Sequence, residues 1–202
     1  MKRRFLPIVA AAVLVGASVL AAGEPRPGRD IRNYYPLEAG NSWTFRVDVN
    51  GKEVTATSRI AKIEKINDIS MGRLEVTVND KIVGTEHLQQ NDKGVFRHRL
   101  NGLEVEPPLE LLRYPVKAGE KWAGGLKVGA DTGKFSAEAG EETIEVAAGK
   151  YKTVRVAIQL IEKGKTIDTT YWFAKDVGIV KQTVVTEGLK LVMELERFDR
   201  KK

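Results

Sequence analysis

The sequence contains no cysteine. That excludes disulfides, thiolate nucleophiles, thiolate-bound metals and any thioether-linked lipid. Small exported domains often rely on disulfide staples, so this chain must fold on core packing alone. Histidine is almost as scarce, with only His87 and His98 present. There is no G-x-S-x-G elbow, no H-E-x-x-H pair, no P-loop and no dinucleotide glycine fingerprint. The chain therefore reads as a non-enzyme, and no cofactor is expected. No hydrophobic run of membrane length occurs after residue 23, and no convincing helical period occurs anywhere beyond it. Leu109–Leu112 is the one stretch that could be helical, and it is too short to stand alone.

The first 23 residues carry the strongest signal. Lys2, Arg3 and Arg4 form a positive head, Ile8–Leu20 is apolar or small, and Ala21, Ala22 and Gly23 offer a cleavage site. This is the layout of a secretory signal peptide over 1–23, cut after Ala21 with Val19 and Ala21 at the specificity positions, or after Gly23. Phe5–Ala22 approaches the ~20 residues that span a bilayer, but Pro7 and Gly16 interrupt it. The expected location is periplasmic or secreted, without lipidation, and the mature chain is not expected to span a membrane. About 180 residues remain, enough to bury close to ~70% of the unfolded surface. The formal charge of +6 falls to +3 once the three cations of the signal are removed. Arg197, Arg200, Lys201 and Lys202 make a short basic end, read as a solvated tail over 199–202. No nucleic-acid motif is present.

Residues 24–33 hold Pro25, Pro27 and Gly28 among charges and read as a flexible leader. From Trp43 onward the hydrophobic period is two. Trp43, Phe45, Val47 and Val49 point one way, and Thr44, Arg46 and Asp48 the other. The same alternation recurs at Leu74–Val78, Val154–Leu160 and Leu189–Leu195. Asn50-Gly51, Asn79-Asp80, Gly164 and Glu187-Gly188 punctuate it as turns. Gly124-Gly125 reads as a bend or bulge. The fold class is all-β: an antiparallel meander of about ten strands closing as a half-barrel, barrel or sandwich. One β domain is expected over 34–198, with halves near 34–110 and 114–198.

A short repeat supports the two halves. Tyr35-Pro36-Leu37-Glu38-Ala39-Gly40-Asn41-Ser42-Trp43 matches Tyr114-Pro115-Val116-Lys117-Ala118-Gly119-Glu120-Lys121-Trp122 in the pattern Y-P-[LV]-x-A-G-x-x-W, 79 residues apart. Proline presets a turn, glycine supplies a positive φ, and tryptophan opens a strand with a large buried area. Two similar corners, one for each half of the sheet, are expected.

The first corner, read as YYPLEAGNSWTF, resembles the start of an uncharacterised family of secreted bacterial β-rich proteins. Val146–Tyr151 leading into Thr153–Val156 is similar to that family's V-x-A-G-x-[FY] segment. Tyr171–Lys181 is similar to its YWFAxGVGxVK segment, with Asp176 where glycine is usual. The resemblance implies export and a β fold and carries no activity. In expected architecture the chain is also similar to the half-barrel lipoprotein carriers of the periplasm, which hold acyl chains in a concave sheet.

Two constellations could carry chemistry. A strand over Ile82–Gln90 and a partner over Val95–Asn101, joined by Asn91–Gly94, pair Gln90 with Val95 and set His87 opposite His98. Opposed Cβ atoms lie ~5 Å apart, within reach of one shared metal, but further ligands are missing. The competing reading is a solvated cross-strand pair. Glu104 and Glu106 share one strand face, an ordinary arrangement on a wet surface. The aromatics Trp43, Trp122, Tyr171 and Trp172 are the candidate ligand-binding residues.

The leading expectation is an exported, non-enzymatic β protein binding a hydrophobic or lipid-like small molecule on its concave apolar face. The alternative is an envelope structural or protein-interaction module, binding an envelope protein by strand addition at exposed edges. A hydrolase of unknown type stands third. A filled interior points to the alternative.

Overall fold

The structure is a computed structural model that describes residues 33–201. The expected signal peptide and almost all of the expected leader lie outside the described residues, as does Lys202. Twelve antiparallel strands follow one another: β1 (Ser42–Val49), β2 (Lys52–Ile66), β3 (Ile69–Val78), β4 (Lys81–Gln90), β5 (Gly94–Leu100), β6 (Leu103–Arg113), β7 (Lys121–Val128), β8 (Asp131–Val146), β9 (Gly149–Glu162), β10 (Lys165–Ala174), β11 (Gly178–Thr186) and β12 (Leu189–Asp199). Each pairs with its sequence neighbours, and β12 returns to β1 to close a barrel. Two strands more than expected are present, and the architecture is the barrel of the three that alternation allowed.

The hairpins follow from turn chemistry. Asn50-Gly51, Asn67-Asp68, Asn79-Asp80, Asn101-Gly102 and Lys163-Gly164 all place both residues at positive φ. These are the conformations that match the twist of the flanking strands. Inward rows are apolar: Trp43, Phe45, Val47, Ile60, Leu74, Val156, Ile158, Phe173 and Leu195 are buried. Outward neighbours such as Arg46, Lys62 and Glu138 remain wet.

Leu109–Leu112 is strand, not helix, because β6 pairs along β5 from Arg113 to Leu103. Gly124-Gly125 is not a bulge. The pair lies in regular register opposite Phe135 and Lys134. A Cβ on Gly124 would sit 3.1 Å from the Phe135 ring, so that ring occupies the space a side chain would need. The basic end is also not free. Lys201 N–H donates to Asn41 Oδ1 at 2.8 Å, and Arg200 Nη2 donates to the Asp176 carbonyl at 2.9 Å.

The repeated corners superpose bond for bond. Gly40 N–H donates to Ile60 O, Ile60 N–H to Asn41 O, and Asn41 N–H to Glu38 O. Adding 79 to every number gives Gly119 to Ala139, Ala139 to Glu120, and Glu120 to Lys117, all of which are present. The eight residue pairs of β1 with β2 map by the same offset onto the eight of β7 with β8. Beyond this hairpin the registers diverge.

Candidate functional site

The predicted ligand-binding aromatics do not converge. Trp43 is 1% exposed, donates from Nε1 to the Val177 carbonyl, and stacks on Phe198 at 5.2 Å and 13°. Tyr35 meets Trp43 edge-on at 5.4 Å, Phe173 touches Tyr35, and Tyr171 touches Phe173. Those four residues form a packed internal chain. Trp122 is buried elsewhere, and Trp172 sits on the outer wall, where its Nε1 donates to Glu142 and Lys181 lies over its ring.

Inside the barrel lies a half-buried ion pair that alternation did not reveal, its Arg97 and Glu86 side chains 12% and 21% exposed. Arg97 Nε donates to Glu86 at 2.7 Å and its Nη2 to the Tyr171 hydroxyl at 3.3 Å. Burial works against the Arg97 charge, but Glu86 and Tyr171 hold its pKa above the ordinary value. Burial, with Glu86 adding to it, also raises the Tyr35 phenol. These groups line a cavity of about 80 Å³ together with Ser58, Gln182 and Met193. Sites for drug-sized ligands run to about 300–1,000 Å³. This cavity has space for waters and none for an acyl chain.

The histidines are not opposed. The predicted pairing of Gln90 with Val95 is present and extends to Leu88 with Arg97, but a bulge follows and His87 faces Arg99. His98 takes the extra position in the bulge. His87 Nε2 lies 2.7 Å from Glu64 Oε2, and His98 Nε2 lies 3.1 Å from Gln89 Oε1. His87 Nδ1 is buried without a partner. Glu64 is pulled down to about 2 by its hydrogen bonds to Lys62 and then to His87. Among the described residues no group of three or more acidic or histidine ligands could hold a metal. Glu104 and Glu106 are both exposed on the outer face.

The feature that sequence reasoning missed is the second seam between the halves. The first, β1 with β12, is paired over its whole length from Val49–Leu191 to Ser42–Asp199. The second, β6 with β7, begins the same way: Gly129 N–H donates to Glu104 O as Asn50 N–H donates to Lys190 O. Pairing then covers Val105–Val128 and Glu106–Lys127 and stops. The next two residues of β6 are Pro107 and Pro108, which have no N–H to give.

Alternate residues of an antiparallel strand direct both backbone groups to the same side. Gly129 bonds towards β6, so Lys121, Ala123 and Gly125 share that direction. Their N–H and C=O groups face β6 where its ladder has ended, and all three residues are exposed. Side chains close this stretch in place of backbone. Trp122 Nε1 donates to the Glu110 carbonyl at 3.1 Å. The Arg113 guanidinium lies 5.3 Å from the centre of the Trp122 ring and is held by Glu110 and Glu120 at 2.7 and 3.6 Å.

Beside the edge, the outer face of β7–β10 carries a hollow of about 560 Å³. Small residues leave it open: Ala123, Ser136, Ala157 and Thr170. The Lys121–Glu138 ion pair at 3.4 Å and the Gln159–Asp168 hydrogen bond at 2.9 Å flank it. The Pro-Pro and Gly-Gly pairs were the visible sequence signal for this place, but nothing in one sequence said that they lie on neighbouring strands.

No protein-family model and no curated protein matches the chain. Solved structures do. A provisionally assigned lipoprotein from Parabacteroides distasonis aligns with TM-score 0.53 at 13% identity, over 82% of this chain and 98% of that one. A provisionally assigned exported protein with a YmcC-like fold from Bacteroides fragilis aligns with TM-score 0.47 at 15% identity, over 82% and 98%. The hypothetical lipoprotein YmcC from Escherichia coli aligns with TM-score 0.38 at 14% identity, over 85% and 88%. The likeness to the Parabacteroides protein shows a shared fold.

Proposed function

We propose that the protein is a non-catalytic, extracytoplasmic interaction module that takes up an extended peptide segment of an envelope protein by strand addition at β7. The single observation behind this reading is the unpaired ladder of Lys121, Ala123 and Gly125, next to the outer hollow. Unpaired backbone groups at a strand edge are a template for another strand. The reading in which the barrel interior holds a lipid-like molecule has less support, because the internal cavity lined by Arg97, Glu86, Tyr35 and Tyr171 measures only about 80 Å³. Export rests on the charged, apolar and small-residue layout of residues 1–23. Outward rows that are charged and inward rows that are apolar are the reverse of a membrane-spanning barrel, which supports a barrel standing clear of the bilayer.

The test uses a displayed library of random twelve-residue peptides selected on the whole protein. Ala123→Pro removes one free donor at an edge position, where proline is tolerated. Binders that lose at least tenfold in affinity to the folded Ala123→Pro variant support the reading. Binders indifferent to that change, or no binders at all, would sink it.

A further inference from the structure

The repeat indicates what the added strand looks like. This inference rests on the strand-addition reading and deepens it. Trp43 and Trp122 occupy the same position in two corners that share every backbone bond described above. Beside Trp43 the neighbouring strand is present, and it is β12. Its Phe198 pairs across from Trp43 and stacks on the indole at 5.2 Å. Beside Trp122 the neighbouring strand β6 makes no backbone ladder at that place: only its Glu110 carbonyl meets the indole Nε1, at 3.1 Å, and the ring is covered by the Arg113 guanidinium at 5.3 Å.

We infer that the segment received at β7 carries an aromatic side chain opposite Trp122, as β12 carries Phe198 opposite Trp43, and that this ring displaces Arg113 from the indole face. The arginine is a placeholder suited to leaving. Its charge is already met by Glu110 and Glu120, so moving off the ring leaves no buried, unpaired cation. A guanidinium over an indole and an aromatic ring over an indole gain comparable amounts. The exchange is therefore decided by the new backbone bonds to Lys121, Ala123 and Gly125. Entry also replaces the single indole bond to Glu110 with an acceptor from the incoming strand. The partner class is an extended peptide with alternating side chains and one aromatic residue in register with Trp122.

The probe is a synthetic peptide with the sequence of residues 189–199, which is β12 itself, compared with the same peptide carrying Phe198→Ala. Binding to the whole protein is measured by calorimetry, and amide exchange is followed at Lys121, Ala123 and Gly125. The expected result is protection of those amides and at least tenfold tighter binding of the Phe-containing peptide. Arg113→Ala in the protein should raise the affinity of that peptide severalfold and leave the Phe198→Ala peptide unchanged. Protection by both peptides with equal affinity would overturn the aromatic requirement and leave strand addition standing. Protection by neither would overturn strand addition and this inference with it.

Discussion

The two seams of this barrel start from equivalent corners and end differently. At β1–β12 the ladder runs the full length of the strand and the aromatic stack of Trp43 on Phe198 closes its end. At β6–β7 the same opening bond is made, two residue pairs follow, and Pro107-Pro108 ends the ladder. The difference shows that closure of a barrel is not one property of a sheet. A seam can be topologically closed while its backbone ladder stops short, because Pro108 has no N–H to give across it and side chains supply contacts beyond that point.

Paired substitutions sharpen this comparison, and the largest effect is expected at the tryptophans. Trp43→Ala should cost about 3–5 kcal/mol, as deletion of a buried aromatic does. Trp122→Ala should cost about 1 kcal/mol less, since Trp43 gives up, besides its stack, the edge-on contact with Tyr35, worth ~0.5–1.5 kcal/mol. Urea denaturation of both variants checks the order; equal losses would erase the distinction between the seams.

Proline probes the ladders directly. Thr44 is the counterpart of Ala123 and directs its N–H to β12, so Thr44→Pro should cost about 3 kcal/mol, on the scale of an interior proline. Ala123→Pro should stay within about 1 kcal/mol, because its N–H has no partner to lose. A large loss from Ala123→Pro in thermal melts would mean the β7 edge is paired after all.

Asn41 and Glu120 form the next pair. Asn41 is fully buried, donates to the Pro36 carbonyl and accepts from Lys201 N–H. Its replacement by alanine should cost about 1–3 kcal/mol, the penalty for stranded buried partners. Glu120→Ala removes only a partly exposed ion pair with Arg113 and should cost about 0–1 kcal/mol. Denaturation midpoints for the two variants measure the contrast.

The smallest effect concerns pH and the first half. Burial lowers the His98 pKa, with His87 adding to that and Glu104 opposing it. The folded state therefore binds the proton less readily than the unfolded chain. Stability is full above the ordinary histidine pKa and declines as pH falls below it. His98→Gln should flatten a melting-temperature profile between pH 7 and 5; an unchanged slope would remove His98 from the cause.

How far the sequence carries can be judged from particular residues. Trp43 to Val49 was legible because one face is dry and the other wet, and Asn50-Gly51 because both residues accept positive φ. The repeated corner was legible as a motif, though its bond-for-bond identity was not. β6 was obscured because two prolines and a leucine cluster hide the period. The His87–His98 pairing failed because a bulge changes the count of residues on one strand without leaving a signature in either. The Arg97–Glu86 pair inside the barrel was missed since an inward charge breaks the alternation on which strand reading depends. The early end of the β6–β7 ladder was invisible for a simpler reason: it is a relation between two strands, and only the fold makes them neighbours.

Residue-resolved amide hydrogen exchange on the isolated protein tests the central claim most directly. Lys121, Ala123 and Gly125 should exchange rapidly, while their counterparts Ser42, Thr44 and Arg46 stay protected behind β12. Equal protection at the two sets of amides would contradict an open edge at β7.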